Sequence, residues 1–415
     1  MRLAIIGGGS SYTPELLSGF IAHPIDRLSI TLHDIDSKRV QIVAQFCQRM
    51  LQHAQMDIQL DWTVSLQEAL SGADLVVAQL RVGGQEARHE DILMGLEHGL
   101  LGQETTGVGG MAKALRTIPV MLDLARQMDI HCPEAWLINF TNPSGIITEA
   151  LLRYGRQKVI GLCNVPIELH MDLAEYFDCS PSQVQLDWVG LNHLGWVRSV
   201  LVNGEEKLAH ILHQIEYGDL AHLTEVEYPK GFLSALNMIP SYYLRFFYAH
   251  DQAVAEIQQA NLTRAQVVQS IETKLFDLYQ DPQQVILPDL LKQRGGAWYS
   301  RLAIQVIHAL QNKQPSIHIV NTLNQGCIAQ LPDNASVEVA CEISQAGVKP
   351  LAIKPVEDSI IGLIQQVKSY ERLTIEAAMQ QSAHQAYLAL MANPLVPHVT
   401  LAEKILHSLK QRQHI

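Results

Sequence analysis

Arg2-Leu-Ala-Ile-Ile-Gly-Gly-Gly-Ser-Ser-Tyr-Thr-Pro14 is the stretch on which the fold turns. Arg2–Ile6 is a short apolar run bounded by glycines, the pattern of a buried parallel strand. Thr13 followed by Pro14 reads as a helix start, with Thr13 as N-cap and Pro14 at the first helical position. Between them lie Gly7, Gly8, Gly9, Ser10 and Ser11. Glycines at a strand-to-helix turn allow a tight bend and close backbone approach, and a helix N-terminus offers N–H groups to an anion. The segment therefore fits a pyrophosphate loop, although Tyr12 stands where a third glycine is usual. The plainer reading is a glycine turn of some other α/β protein.

Working outward, residues 28–32 form a second apolar run that ends in His33-Asp34. A carboxylate at that strand end can bind a ribose 2′-hydroxyl, which favours NAD over NADP. Lys38 and Arg39 stand close by, and a helix-capping Asp34 is the alternative. Residues 73–80, 135–140 and 159–163 are further buried strands with helical stretches between them. This alternation predicts a doubly wound parallel sheet over residues 1–166. After Pro166 the texture changes. A helix over 167–177 leads to two alternating strands, 183–191 and 195–202, joined across Asn192-His193-Leu194. Helical segments follow at 230–280, 297–312, 356–392 and 399–412, with strand-like runs at 316–320 and 336–342. Residues 167–415 are thus expected to be an α+β domain, packed tightly on the first because no Pro/Gly/Ser-rich linker separates them.

Composition narrows the partners. With 415 residues, 47% hydrophobic and 17% charged, the chain is long and apolar enough for two well-packed domains. A net charge of -12 argues against nucleic acid, which needs a basic face. No apolar run reaches membrane-spanning length. Six cysteines (47, 132, 163, 179, 327, 341) form no CxxC pair, and the chain starts directly on a strand with no signal peptide. A reduced, cytoplasmic protein is the expectation.

Several residues could carry chemistry. Cys163 and His193 can ligate a metal as thiolate and neutral imidazole; the plainer reading is a buried thiol and a turn histidine. Arg88 closes the run Arg81–Arg88 after the 73–80 strand, at the sheet's carboxyl edge, and can clamp a phosphate or carboxylate. Glu104 is the one carboxylate in a glycine-rich loop over 102–110. Asn142 precedes Pro143 in another strand-to-helix turn, as ligand contact or N-cap. Residues 241–248 are an aromatic-rich helical stretch containing Tyr242 and Tyr243, and Arg264 and Arg294 are later arginine sites whose plain role is surface solvation.

Taken in order, the runs IIGGGSSYTPEL (5–16), GLLGQETTGVGG (99–110), NFTNPSG (139–145), GLCNVP (161–166), GLNHLGW (190–196), YLRFF (243–247) and RGGAWYS (294–300) resemble glycoside hydrolase family 4, and within it the 6-phospho-β-glucosidases. VNTLNQG (320–326) and YERLTIEA (370–377) extend the likeness toward the C-terminus. The α-glucoside members carry Cys-Asp where this chain has Cys163-Asn164, so Asn164 resembles the β branch. Val82 replaces a usual proline, and Tyr242 doubles the motif tyrosine. The resemblance implies a Rossmann domain followed by a C-terminal domain of lactate/malate dehydrogenase-like type. It implies NAD and Mn2+, or another divalent metal, as cofactors. The substrate would be a phosphorylated disaccharide or an aryl glucoside 6-phosphate, and the assembly a homodimer or homotetramer. It also implies a redox-assisted hydrolysis: C3 oxidation, C2 deprotonation, elimination of the aglycone, water addition and re-reduction. On that basis Tyr243 is the base and Glu104 tunes it; Arg88, Asn142, Arg264, Asn164 and Arg294 contact substrate; Gly7, Gly8, Gly9, Ser10, Ser11 and Asp34 bind NAD; Cys163 and His193 hold the metal. The alternatives are a 6-phospho-α-glucosidase of the same family, against which Asn164 argues, and an NAD-dependent hydroxy-acid dehydrogenase, which needs no metal thiolate.

Overall fold

The computed structural model describes residues 1–295, 298–412 and 414–415. Six short strands, β1 (Arg2–Ile6), β2 (Ser29–His33), β3 (Gln59–Thr63), β4 (Leu75–Ala78), β5 (Trp136–Asn139) and β6 (Val159–Gly161), pair in parallel. β1 and β4 are buried at nearly every position, as strands covered by helices on both faces must be. β7 (Val184–Leu191) and β8 (Leu194–Val202) form an antiparallel hairpin, with β9 (Glu205–Glu206) and β10 (Ile239–Pro240) on β8. Later in the chain β11 (Ser316–Leu323), β12 (Ser336–Ser344) and β13 (Gly347–Pro350) join the first sheet antiparallel, through the pairing of Asn321 with Gly161. The large sheet therefore runs β13-β12-β11-β6-β5-β4-β1-β2-β3 and takes strands from both sides of residue 166. The fold is an N-terminal Rossmann sheet carrying a C-terminal α+β portion.

Two large cores hold this arrangement, with a small third cluster of Leu101, Phe246, Ala253, Val254 and Leu395 beside Tyr243. The larger follows the nine-stranded sheet and its helices. The smaller lies between the helix Val165–Tyr176, the β7–β8 hairpin and the helix Leu208–Tyr217, and it includes Cys163. Cys163 is thus pinned where the parallel sheet ends and the second core begins.

Local expectations need four corrections. Thr13 is inside the helix Thr13–Ala22; Tyr12 is the N-cap, and the Thr13 hydroxyl donates to Gly8 O at 2.9 Å. Residues 107–110 are the first turn of the long helix Gly107–His131, not loop. Gly109 and Gly110 allow that turn to lie directly against the carbonyls of Gln103 and Thr105, where a Cβ would collide. The expected helix over 230–280 is broken into Phe232–Leu236, a 3₁₀ turn Tyr242–Leu244, Arg245–Tyr248, His250–Gln259 and Arg264–Gln280. Asn237 in a left-handed conformation ends the first piece, Pro240 pairs on β8, and Thr263 with Gln266 builds a new capping box for the last. The 356–392 segment is two helices, Asp358–Gln380 and Ala383–Ala392, separated at left-handed Gln381. The expected start of the 297–312 helix, and Gly296-Ala297 of the RGGAWYS run, lie outside the described residues; the helix is Tyr299–Gln311.

Candidate active site

The carboxyl edge of the parallel sheet opens into a cleft of about 1000 Å³. Gly7, Gly9, Ser10, Asp34, Arg81, Lys113, Asn142, Arg294 and Tyr299 are among its lining residues. Gly7 has φ +84°, and a Cβ there would sit 2.7 Å from Gln79 O, so only glycine lets the loop turn this tightly. The Asp34 carboxylate accepts Gly9 N–H at 3.0 Å and Asp36 N–H at 3.1 Å, which aims it into the cleft behind the loop. The N–H groups of Gly7 and Gly8 both donate to His33 O, so they tie the loop to β2 rather than pointing at a ligand. Ser11 is fully buried and donates to Glu272 Oε1 at 3.0 Å. A wide groove behind a glycine turn, with a carboxylate at the end of β2, fits a dinucleotide.

The β7–β8 turn presents His193 in the left-handed region, φ +61°. Histidine tolerates that conformation better than most residues, but it still costs about 1 kcal/mol. Its Nδ1 lies 2.9 Å from Thr105 Oγ1. The Thr105 hydroxyl has one proton, and it goes to Gln103 Oε1 at 2.8 Å. Gln103 Oε1 is itself oriented by the backbone N–H groups of Thr105 and Thr106. Nδ1 must therefore carry the imidazole proton and donate it to Thr105, which leaves the Nε2 lone pair for a metal. Burial pushes the imidazole down to about 3, so it stays neutral. The Tyr243 ring stacks on it at 3.7 Å and 6°.

Cys163, two residues past β6, is buried, and burial raises its thiol well above the usual range. Glu338 adds to that, while Val165 N–H and the Asn192 side chain hydrogen-bond the sulfur. Asn192 also donates to Glu338 Oε1 at 3.2 Å and precedes His193, so one hairpin tip serves both the thiol and the imidazole. The described residues contain no group of three or more His, Cys, Asp or Glu that could hold a metal. A soft thiolate and a neutral imidazole nevertheless fit a catalytic divalent cation that takes its remaining ligands from substrate and water.

Glu104 is the hub of a cluster of basic side chains. It is bonded to Arg81, to Arg88 Nη2 at 2.7 Å and to Lys113 Nζ at 2.8 Å. Burial would raise its carboxyl, but Arg81, Lys113 and Arg88 together hold it well below the ordinary range. Two arginines outweigh the one carboxylate here, while burial lowers the Lys113 ammonium to about 7. Arg264 Nη2 donates to the carbonyls of Gln293 and Arg294 at 3.1 and 2.9 Å. Arg294 pairs with Glu272 at 3.2 Å and lies over the Tyr12 ring. Asn142 lines the cleft, and Asn164 Nδ2 donates to Glu168 Oε1.

Residues 2–179 match the model of the family 4 glycosyl hydrolases, and residues 188–396 match the model of that family's C-terminal domain. The chain belongs to glycosyl hydrolase family 4. Among this family 4 enzyme's relatives is the probable 6-phospho-β-glucosidase of Bacillus subtilis, 40% identical over 423 residues, covering 99% of this chain and 95% of the relative. A 6-phospho-α-glucosidase of Lacticaseibacillus paracasei is less similar, at 30% identity over 98% of this chain and 95% of that protein. The crystal structure of the Thermotoga maritima 6-phospho-β-glucosidase with NAD and glucose-6-phosphate has TM-score 0.93 and 35% identity, covering 100% of this chain and 99% of that one. Another structure of that enzyme holds manganese as well, at TM-score 0.92 and 34% identity. A lactate dehydrogenase of Eimeria maxima shares the fold, at TM-score 0.58 and 14% identity. In the family 4 enzyme the glycine loop and Asp34 share one cleft; Cys163, His193 and Tyr243 share a neighbouring cluster; Glu104 joins Arg88 but not Arg264, which is held by the 3₁₀ segment Asp289–Arg294.

Four contributors escaped the sequence reading. Lys113 was legible only as the lysine of an otherwise apolar helix turn. Thr105 sits inside a quoted motif, but its role needs His193, 88 residues away. Glu272 comes from an amphipathic helix with no distinguishing pattern. Glu168 had a weak signal, lying four residues after Asn164 in a first helical turn.

Proposed function

We propose that the chain hydrolyses 6-phospho-β-glucosides with NAD and a divalent cation such as manganese. The observation that carries this reading is Tyr243 stacked on a neutral, Thr105-oriented His193 beside Cys163, at the edge of a dinucleotide-type sheet. The higher identity to the β-glucosidase than to the α-glucosidase, together with Asn164 after Cys163, favours the β-anomer. When bound, NAD would accept hydride from C3 of the sugar, and the cation would acidify the C2 proton.

The chain's residues then have the following work. Cys163 and His193 Nε2 would hold the cation. Tyr243 would take the C2 proton; burial, with Cys163 and Glu104 nearby, raises its phenol above the ordinary value, so it needs that adjacent positive charge to ionise. Arg88 and Arg264, with Glu104 fixing Arg88, would bind the 6-phosphate, while Asn142, Asn164 and Arg294 would contact the rest of the substrate. Gly7, Gly9, Ser10 and Asp34 would cradle the dinucleotide, with Gly8 and Ser11 shaping the loop from behind. Residues 1–166 would form the NAD domain and 167–415 the domain that supplies catalysis, substrate contacts and subunit contacts.

A reducing cytoplasm suits six free cysteines and a thiolate ligand, since an oxidised Cys163 cannot bind metal. No helix among the described residues is long and apolar enough to cross a membrane. A homodimer or homotetramer rests on the family resemblance. The test is hydrolysis of an aryl 6-phospho-β-glucoside with NAD+, Mn2+ and reductant omitted one at a time. Activity should vanish with each omission, and product formed in D2O should carry deuterium at C2. NADH accumulating in step with substrate consumption would point instead to a dehydrogenase.

A further inference from the structure

The mechanism above has a base for C2 but no group for the departing oxygen on C1. Asn164 cannot donate a proton as an acid, and Tyr243 is committed to C2. One carboxyl near this cluster has no role so far. Glu168 lies in the first turn of the helix Val165–Tyr176, half-buried, its side chain held from two directions. Asn164 Nδ2 donates to Oε1, and the Tyr242 hydroxyl, 74 residues away, donates to Oε2 at 3.3 Å. Tyr242 packs on Tyr243 with ring centroids 4.8 Å apart, and Tyr243 in turn stacks on His193. The line Glu168–Tyr242–Tyr243–His193 thus places a carboxyl one tyrosine ring beyond the base, close enough for its charge to act on Tyr243. Building on the proposed hydrolysis, we infer that Glu168 is the acid that protonates the leaving aglycone, with Asn164 and Tyr242 positioning its carboxyl.

Its surroundings favour a proton at neutral pH. Burial first, then Asp172 one turn along the same helix and Glu225, just past the 3₁₀ turn Ala221–Thr224, raise Glu168 to about 7 against the opposing bonds from Asn164 and Tyr242. Glu225 is partly offset by Arg245 at 3.7 Å, and Cys163, Tyr12 and Tyr299 also lie within electrostatic reach. In the elimination, Tyr243 takes the C2 proton and the C2–H electron pair becomes the C1–C2 double bond. The C1–O bond breaks, and the aglycone oxygen takes the Glu168 proton and departs as an alcohol. In the hydration, the Glu168 carboxylate takes a proton from water as its oxygen bonds C1, and Tyr243 returns a proton to C2. Both residues end as they began, and no electrons leave the sugar in these steps.

Glu168→Gln keeps the size and the acceptor oxygen but removes the acid. General acid catalysis is worth about 10²–10⁴-fold when the leaving group is a poor one. The variant should therefore lose about a hundredfold or more in kcat/KM on methyl 6-phospho-β-glucoside. It should lose no more than about threefold on the 2,4-dinitrophenyl glycoside, whose phenolate leaves without help. Its rate of C2 hydrogen exchange in D2O should stay near wild type, which also shows that it folds and loads its cofactors. Tyr242→Phe should show the same leaving-group bias at smaller size. Equal losses on both glycosides, or no loss on the methyl glycoside, would overturn the assignment while leaving the hydrolase reading intact. A wild type inactive on both, with all cofactors present, would remove the hydrolase reading and this one with it.

Discussion

Thr105→Val tests how the protein sets the tautomer of His193. The substitution preserves shape and removes the acceptor that, among the described residues, the Nδ1–H has at 2.9 Å. Two states are then open to the ring, which is only 7% exposed. It can keep its proton on Nδ1 with no partner, at a cost of about 1–3 kcal/mol for a buried unpaired donor. Alternatively it can move the proton to Nε2, where it blocks metal ligation. Either way metal binding has to supply that free energy, which is about 5- to 150-fold in affinity. Loss of an outer-shell partner to a ligating histidine costs a similar 10–100-fold. The assay is Mn2+ titration followed by the EPR signal of the free ion, with NAD+ present and reductant throughout. Thr105→Ser, which restores the hydroxyl, should bind within about threefold of wild type. Melting of the metal-free valine variant separates affinity from folding. If valine weakened Mn2+ by less than about twofold, or serine weakened it as much as valine, the hydroxyl would not be orienting the imidazole.

Three further outcomes follow from the site. Tyr243→Phe should reduce C2 hydrogen exchange by about 10²–10⁴-fold, whereas Tyr242→Phe should leave that exchange near wild type; the reverse pattern would move the base to Tyr242. Arg88→Gln should raise KM for a phosphorylated aryl glucoside about ten- to a hundredfold, the worth of a charge-assisted bond, and leave the weak turnover of the unphosphorylated glucoside unchanged. Glu338, 1% exposed, is raised to about 7, by burial first, although Asn192 and Asn321 donate to it. A carboxyl with a higher value folded than unfolded binds more protons in the native state between those values, so its contribution is full at low pH and fades as pH rises from about 4.5 through 7. In thermal melts, Glu338→Gln should therefore gain on wild type across that window, by on the order of 3 kcal/mol in total; a difference independent of pH would refute the assignment.

The parallel half of the molecule was legible because buried strands and glycine turns are local patterns. Residues 2–6, 75–78, 136–139 and 159–161 lie inside the apolar runs read from the sequence. β3 was not, since Gln59–Thr63 lies at the sheet edge with Leu60 its one buried residue and carries no apolar run. The C-terminal half was harder for a different reason. Its helices are broken at Asn237, Pro240 and Gln381 by contacts and backbone turns that periodicity alone does not show.

By itself the sequence determined the class of sheet, the family, the thiol and the hairpin histidine, because each is carried by neighbours in the chain. It could not say that β11 closes onto β6 at Gly161, that Thr105 orients His193, or that Tyr242 turns to Glu168 while Tyr243 turns to the imidazole. These are pairings between groups 50 to 160 residues apart. They exist only once the two cores have packed, and the distances and burial that set tautomer and proton affinity are properties of that packing.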